Sequence, residues 1–315
     1  MQHIFITRKI PQEGLDLLSD FSLEIFPAKR SPTKRELIRG VKKADGVICL
    51  LSNVMDKEIM DAGHLRVISN YAAGVNNIDI DYATQKGVIV TNTPDVLTNA
   101  TADLTWALIL SVTRRIVESD VFLREGKFEG WEPMLLCGTE LADKKLGIVG
   151  MGRIGKAVAL RASGFGMEVL YHSRKEEDVE GQWVTLEELI SQSDIVSLHV
   201  PLTSETRHLI GEKELSTMKK EAYLINTSRG PVVDEKALVF ALRKKRIAGA
   251  GLDVYEFEPK VSEGLLKMKN VVLLPHIGSA TVETRRRMAV VAAQNLKDAL
   301  LGRRPAHVVN PSVLV

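Results

Sequence analysis

Residues 145–155 read KLGIVGMGRIG, and the rest of the chain takes its meaning from them. A short apolar run (Leu146, Ile148, Val149) enters Gly150-Met151-Gly152-Arg153-Ile154-Gly155, and a helical pattern follows as far as Ala162. Strand, then G-x-G-x-x-G, then helix is the context in which the glycines have a use. Gly150 permits a tight turn, Gly152 lets the backbone approach a pyrophosphate, and Gly155 lets the helix pack close to its strand. The free N–H groups and positive dipole end of that helix then face the phosphates. A glycine pattern alone is often only a turn. Flanked in this way, it points to a bound dinucleotide.

A length of 315 residues suggests two domains, each able to bury its own core. Composition is that of an ordinary globular chain, 45% hydrophobic and 26% charged. A net charge of +2 argues against nucleic acid or a membrane surface as the main partner. The short basic runs Arg243-Lys244-Lys245-Arg246 and Arg285-Arg286-Arg287 read as solvated faces or subunit contacts. Cys49 and Cys137 are too few for a disulfide framework and read as reduced thiols. The start, MQHIFITRKI, has no long apolar segment behind a basic one, so no signal peptide is expected. The longest apolar stretch, near 104–117, ends in Arg114-Arg115 and is too short to span a bilayer. A cytoplasmic protein is expected. No His/Cys/Asp cluster has metal-ligand spacing, so no metal site is expected.

Strand and helix patterns alternate along the chain. Strands are predicted at 4–7, 23–26, 46–51, 67–69 and 88–91, with helices at 11–18, 33–43, 56–62 and 79–86. After a break at Thr93-Pro94, Thr98 or Asn99 caps a long helix running to about Asp120. From 146 the alternation resumes, with strands at 146–149, 168–171, 195–198, 222–226, 248–252 and 271–274. Helices are predicted between them at 154–162, 186–191, 212–217, 235–245 and 264–268. Such alternation implies parallel sheets covered on both faces. The first ninety-odd residues form one open α/β domain, and the six later strands fit a doubly wound dinucleotide-binding domain. A last helix, 281–301, is long enough to return to the first domain.

Ligands of open parallel sheets bind beyond the carboxyl ends of the strands, so the strand exits carry the chemistry. The exit at His172-Ser173-Arg174-Lys175 lies where an NAD-preferring site places an acid. Ser173 can hydrogen-bond a 2′-phosphate and Arg174 can pair with it as a planar fork. The segment is therefore either an NADP(H) site or a solvated basic turn. The missing acid favours NADP(H), with NAD(H) still possible. Three further exits bring Arg229, Glu258 and His276. Reducing a carbonyl beside a carboxylate needs a fixed cation and a proton donor as well as hydride. Arg229 suits the first as a bidentate clamp, His276 suits the second, and Glu258 would orient the imidazole. Each alone reads equally well as a phosphate-positioning Arg, a surface Glu and a loop His. Three suitable groups after three neighbouring strands weigh against that.

These residues resemble a known family. NYAAGVNNID from Asn70, TNTPDVLTNATADL from Thr91, GIVGMGRIGKAVA from Gly147 and SLHVPLT from Ser197 carry the likeness. INTSRGPVVDE from Ile225, GLDVYEFEP from Gly251 and LPHIGSAT from Leu274 extend it over nearly the whole chain. Together they are similar to the D-isomer-specific 2-hydroxyacid dehydrogenases, and within them to the glyoxylate/hydroxypyruvate reductases. The resemblance implies a Rossmann cofactor domain, residues 98–282, inserted in a flavodoxin-like substrate domain made of 1–97 and 283–315. It implies catalysis by Arg229, Glu258 and His276, with Asp253 on the nicotinamide side. Val200, Pro201, Thr206, Thr227, Ser228 and Gly278 join the glycine loop and Ser173-Arg174-Lys175 as expected cofactor contacts. Ala73-Gly74-Val75, whose N–H groups can serve an anion, and Leu51 are the expected substrate contacts of the first domain. A homodimer is implied, with Trp131 either reaching the neighbouring subunit's pocket or acting as a plain interface anchor. The implied activity is NADPH-dependent reduction of glyoxylate to glycolate and of hydroxypyruvate to D-glycerate. The alternatives are a relative acting on D-lactate or a bulkier 2-oxo acid, and a cofactor-sensing, corepressor-like binding protein.

Overall fold

The computed structural model describes residues 1–314. It divides into two units, one formed by Met1–Leu97 with the segment from Ser279 onward, the other by Thr98–Gly278. The sequence places the return at 283, whereas the division falls at Ser279. The segment before the last helix belongs with it: Thr281 caps that helix by accepting from the Thr284 N–H, and the Thr281 N–H donates to Ser279 O at 3.0 Å.

The first unit holds β1 (His3–Ile6), β2 (Ser22–Ile25), β3 (Gly46–Cys49), β4 (Val67–Asn70) and β5 (Ile89–Thr91) in the order β2-β1-β3-β4-β5, all parallel. This is the flavodoxin-like order. Side chains alternate between two apolar faces, as a sheet buried on both sides requires. Ile4, Ile6, Ile48 and Val67 pack with Ala289, Ala292, Ala293 and Leu296 of the helix Val282–Leu300. Phe5, Val47, Ile68 and Val90 pack with Leu37, Val41 and Ile59 on the other side. The covering helices start where their caps are written: Thr33 with Glu36 forms a capping box, and Asp56 and Asp79 each accept from a backbone N–H.

The second unit holds β6 (Lys145–Val149), β7 (Glu168–His172), β8 (Gln182–Trp183), β9 (Ile195–Leu198), β10 (Tyr223–Asn226), β11 (Gly249–Leu252) and β12 (Val271–Leu273). Their order is β12-β11-β10-β9-β6-β7-β8, a Rossmann sheet whose strand order reverses at β6 and β9. Seven strands replace the six predicted. The extra one, β8, is a two-residue edge pair against Leu170 and Tyr171, and both its residues are exposed, so no apolar run announces it.

The long helix predicted to about Asp120 is two helices, Thr98–Thr113 and Ile116–Arg124. The Thr113 carbonyl, which would continue the helical ladder, accepts from Thr139 N–H at 2.8 Å, and Arg115 takes a left-handed φ of 54°. The first of the two helices is buried along Ala102, Trp106, Leu108 and Ile109, in one of this unit's two core clusters. Leu296→Ala, in the first unit, should lower unfolding stability by about 2–5 kcal/mol through the cavity it leaves at a fully buried position. Chemical denaturation measures it. An unchanged midpoint would contradict the packing described.

Candidate active site

The glycine loop joins β6 to the helix Arg153–Ala162 at the point where the strand order reverses. Gly150 has a φ of 99°, and a Cβ there would meet the His199 carbonyl carbon at 2.8 Å. A Cβ on Gly155 would overlap the Gly150 carbonyl oxygen, so this glycine sets how close the helix approaches the strand. Gly152, the helix N-cap, is exposed, and a Cβ there would meet nothing within 4 Å. Tight turn, open cradle and close helix packing are what a dinucleotide pyrophosphate needs, and the residues fit it. Arg153 is exposed and Ile154 half-buried, but the Met151 side chain is 2% exposed and packs into the core.

At the exit of β7, Arg174 is exposed, as is Lys175. The Ser173 hydroxyl donates to the Lys175 carbonyl, which shapes the turn. The nearby Glu177 carboxylate is paired with Lys156 at 2.8 Å and with Lys175 at 3.7 Å. No carboxylate stands at the exit itself; His172 does, its Nδ1 on Val184 O at 3.0 Å. After β9, Thr206 Oγ1 donates to Pro201 O at 2.6 Å and closes the turn that begins at Val200. His199 is partly buried with Nε2 2.8 Å from the Ser197 hydroxyl, and loss of hydration pushes its pKa down to about 3, so it is neutral. A proton donor it is not.

The next three exits belong to neighbouring strands. Asn226, at the end of β10, folds the segment that follows: its Oδ1 accepts from Ser228 N–H at 3.0 Å and its Nδ2 donates to Arg229 O at 3.0 Å. The Ser228 hydroxyl donates to the same Oδ1, and Thr227 pairs with Thr105 at 2.9 Å, so both hydroxyls already have protein partners. Arg229 is partly buried. Loss of hydration lowers its pKa while the charge of Glu258 pulls the other way. After β11, Glu258 Oε1 accepts from Tyr255 N–H at 3.0 Å and Oε2 meets His276 Nδ1 at 2.9 Å. Burial pushes the Glu258 pKa up, but the hydrogen bond and charge of His276, the Tyr255 N–H and the charge of Arg229 outweigh it, and the net direction is down. Glu258 is therefore a carboxylate hydrogen-bonded to an imidazole, within the electrostatic reach of the Arg229 guanidinium.

His276, after β12, has a φ of 56°, a left-handed conformation uncommon for a side chain of this kind. Asp253 imposes it: Oδ1 accepts from Ile277 N–H at 2.7 Å and Oδ2 from Gly278 N–H at 2.8 Å. Burial raises the Asp253 pKa against those bonds and the charge of His276. Nothing in the residue pattern marks Tyr255 or Asn226 as organisers. Tyr255 Oη donates to Leu274 O at 2.8 Å and so links the exits of β11 and β12. Glu256 ties the same loop to the helix Glu235–Arg243, its N–H donating to Glu235 Oε2 at 3.0 Å.

The structure thus brings Arg229, Glu258 and His276 together. Trp131 is 83% exposed. Leu51 and Ala73-Gly74-Val75 lie in the first unit, the former exposed and the latter at the β4 exit. Among the described residues, no helix is long and apolar enough to cross a membrane, and no group of three or more His, Cys, Asp or Glu is placed to hold a metal ion.

Known proteins are similar to the chain over nearly its whole length. The model of the D-isomer specific 2-hydroxyacid dehydrogenase NAD-binding domain matches residues 106–278. The glyoxylate reductase of Thermococcus litoralis is 50% identical, with 99% of this chain and 97% of that protein covered. A solved protein of Thermus thermophilus superposes with a TM-score of 0.94 at 45% identity, covering 98% of this chain and 100% of the other. An NADPH-dependent glyoxylate/hydroxypyruvate reductase of Sinorhizobium meliloti, solved with NADP and malonate, does so with 0.88 at 33% identity, covering 99% and 97%. Similarity of this extent, on a matching fold, makes the chain a member of the D-isomer-specific 2-hydroxyacid dehydrogenase family, and an oxidoreductase.

Proposed function

We propose that the protein reduces small 2-oxo acids, glyoxylate to glycolate and hydroxypyruvate to D-glycerate, with NADPH preferred to NADH. The observation that carries this reading is the 2.9 Å contact of Glu258 with His276, beside the partly buried Arg229. A nicotinamide dinucleotide on the glycine loop supplies the hydride when bound. Arg229, cationic at any working pH, takes the carboxylate of the 2-oxo acid and polarises its carbonyl. His276 uses Nδ1 on Glu258, which leaves Nε2 to give a proton to the oxygen that becomes the hydroxyl. Glu258 keeps the ring oriented through its hydrogen bond to Nδ1. Ala73, Gly74 and Val75 supply N–H groups for the carboxylate, with Leu51 at the margin of the same unit.

The cofactor preference rests on Ser173 and the exposed Arg174 where an acid would repel a 2′-phosphate, and on the neutralisation of Glu177 by Lys156. The relative from Sinorhizobium meliloti, NADPH-dependent by description, supports it. A cytoplasmic homodimer belongs to the same reading. Its interface runs along exposed Ile116, Val117, Val121 and Leu123 of the helix Ile116–Arg124, with Trp131 as an anchor. Both cysteines are free, in keeping with a reducing compartment.

The wild type should oxidise NADPH with glyoxylate and hydroxypyruvate faster than with bulkier 2-oxo acids. Arg229→Ala and His276→Ala should each keep NADPH binding and lose about a hundredfold or more in kcat. Full turnover in either variant would refute the assignment. In Glu258→Gln, a neutral amide removes the negative charge beside the ring, so kcat should fall by about tenfold or more while the NADPH KM changes little. A kcat equal to that of the wild type would count against the pairing. Arg174→Asp should shift the ratio of kcat/KM values from NADPH toward NADH. An unchanged ratio would remove the phosphate site.

A further inference from the structure

In the first unit, the loop after β4 has its carbonyl groups tethered from the inside. Asn92 Nδ2 donates to Ala73 O at 2.6 Å, and Asn70 Nδ2 donates to Gly74 O at 2.8 Å. Both amides are themselves held. Asn70 has no exposed surface and exchanges hydrogen bonds with Asn77, Nδ2 to Oδ1 at 3.1 Å one way and 3.2 Å the other. Asn77 Nδ2 also donates to Leu50 O at 3.2 Å and Asn53 O at 3.0 Å, which anchors the pair to the exit of β3. Asn92, just past β5, is fixed through its backbone, donating to His307 O at 3.3 Å and accepting from Asn295 Nδ2 at 3.1 Å.

In a planar trans peptide the carbonyl and the N–H of the following residue point in opposite directions. Holding the Ala73 and Gly74 oxygens inward therefore turns the Gly74 and Val75 N–H groups outward. Among the described residues neither N–H has a hydrogen-bond partner, although both residues are only partly exposed. Two successive outward N–H groups make a concavity for an anion. Because the amides fix both peptides in advance, no reorganisation is needed when a carboxylate arrives. Without them, either peptide could flip and present a carbonyl oxygen to the anion instead.

The geometry points to Asn70 and Asn92 as positioning residues, which aim the Gly74 and Val75 N–H groups at the carboxylate of the substrate. The inference rests on the reaction assigned above. It separates two tasks: Asn70 and Asn92 act on affinity for a small carboxylate through the loop they hold, while Glu258 and His276 act on proton transfer.

Asn92→Ala is the main test, since this side chain is partly exposed and the variant should fold; Asn70→Ala accompanies it. KM for glyoxylate should rise about tenfold in Asn92→Ala, with kcat and the NADPH KM little changed. The inhibition constant of oxalate, a non-reacting two-carbon carboxylate, should rise in parallel. Circular dichroism and thermal melting establish that each variant is folded. A folded Asn92→Ala with unchanged glyoxylate KM and oxalate inhibition would overturn the inference, as would a loss that falls on kcat and the NADPH KM alike. In either case an active wild type leaves the reaction assignment standing. A wild type that reduces no 2-oxo acid would overturn both.

Discussion

The hydrogen bond between Glu258 Oε2 and His276 Nδ1, 2.9 Å long, is the contact on which the rest of the site depends. It joins residues eighteen positions apart in the chain that have no local reason to meet. The bond fixes which imidazole nitrogen faces outward and keeps a negative charge beside the ring. Its geometry is set by a second carboxylate. Asp253 binds the two N–H groups after His276 and so holds that residue in a left-handed backbone conformation. Strain of this kind persists only where surrounding bonds over-determine it, and here both oxygens of one buried side chain do so.

The parallel sheet makes the meeting possible. Strands β10, β11 and β12 are adjacent and run the same way, so the segments carrying Arg229, Glu258 and His276 emerge side by side. Burial then acts on the two charged partners of the imidazole. Loss of hydration works against the charge of Arg229 and of Glu258, and the mutual attraction of cation, carboxylate and imidazole opposes it. A charged group in a partly dry place interacts more strongly with whatever approaches it than the same group in water. His199, close to the glycine loop, has no carboxylate to support a proton and stays neutral.

Much of this was legible in the sequence because it is written in residue types at fixed places. Strands buried on both faces appear as unbroken apolar runs, and all but one were found that way. The glycine loop is readable because Gly150 and Gly155 answer steric demands, as the Cβ clashes there show. The candidate triad stood out because titratable groups followed strand after strand. What escaped depends on partners distant in sequence. The helix break at Arg115 needs the Thr139 N–H to take the Thr113 carbonyl, and no local propensity announces it. Strand β8 is two exposed residues. Met151 reads as part of the phosphate loop, yet its side chain points into the core. The roles of Asn70 and Asn92 lie in the loop carbonyls they hold, which no residue pattern announces.

The most direct test of the central claim is a crystal structure of the protein with NADP and oxalate bound. The account predicts the Arg229 guanidinium on the oxalate carboxylate, His276 Nε2 within hydrogen-bond distance of the oxygen that stands for the ketone, and Glu258 still on Nδ1. Oxalate bound away from Arg229 and His276, with the nicotinamide elsewhere, would contradict it.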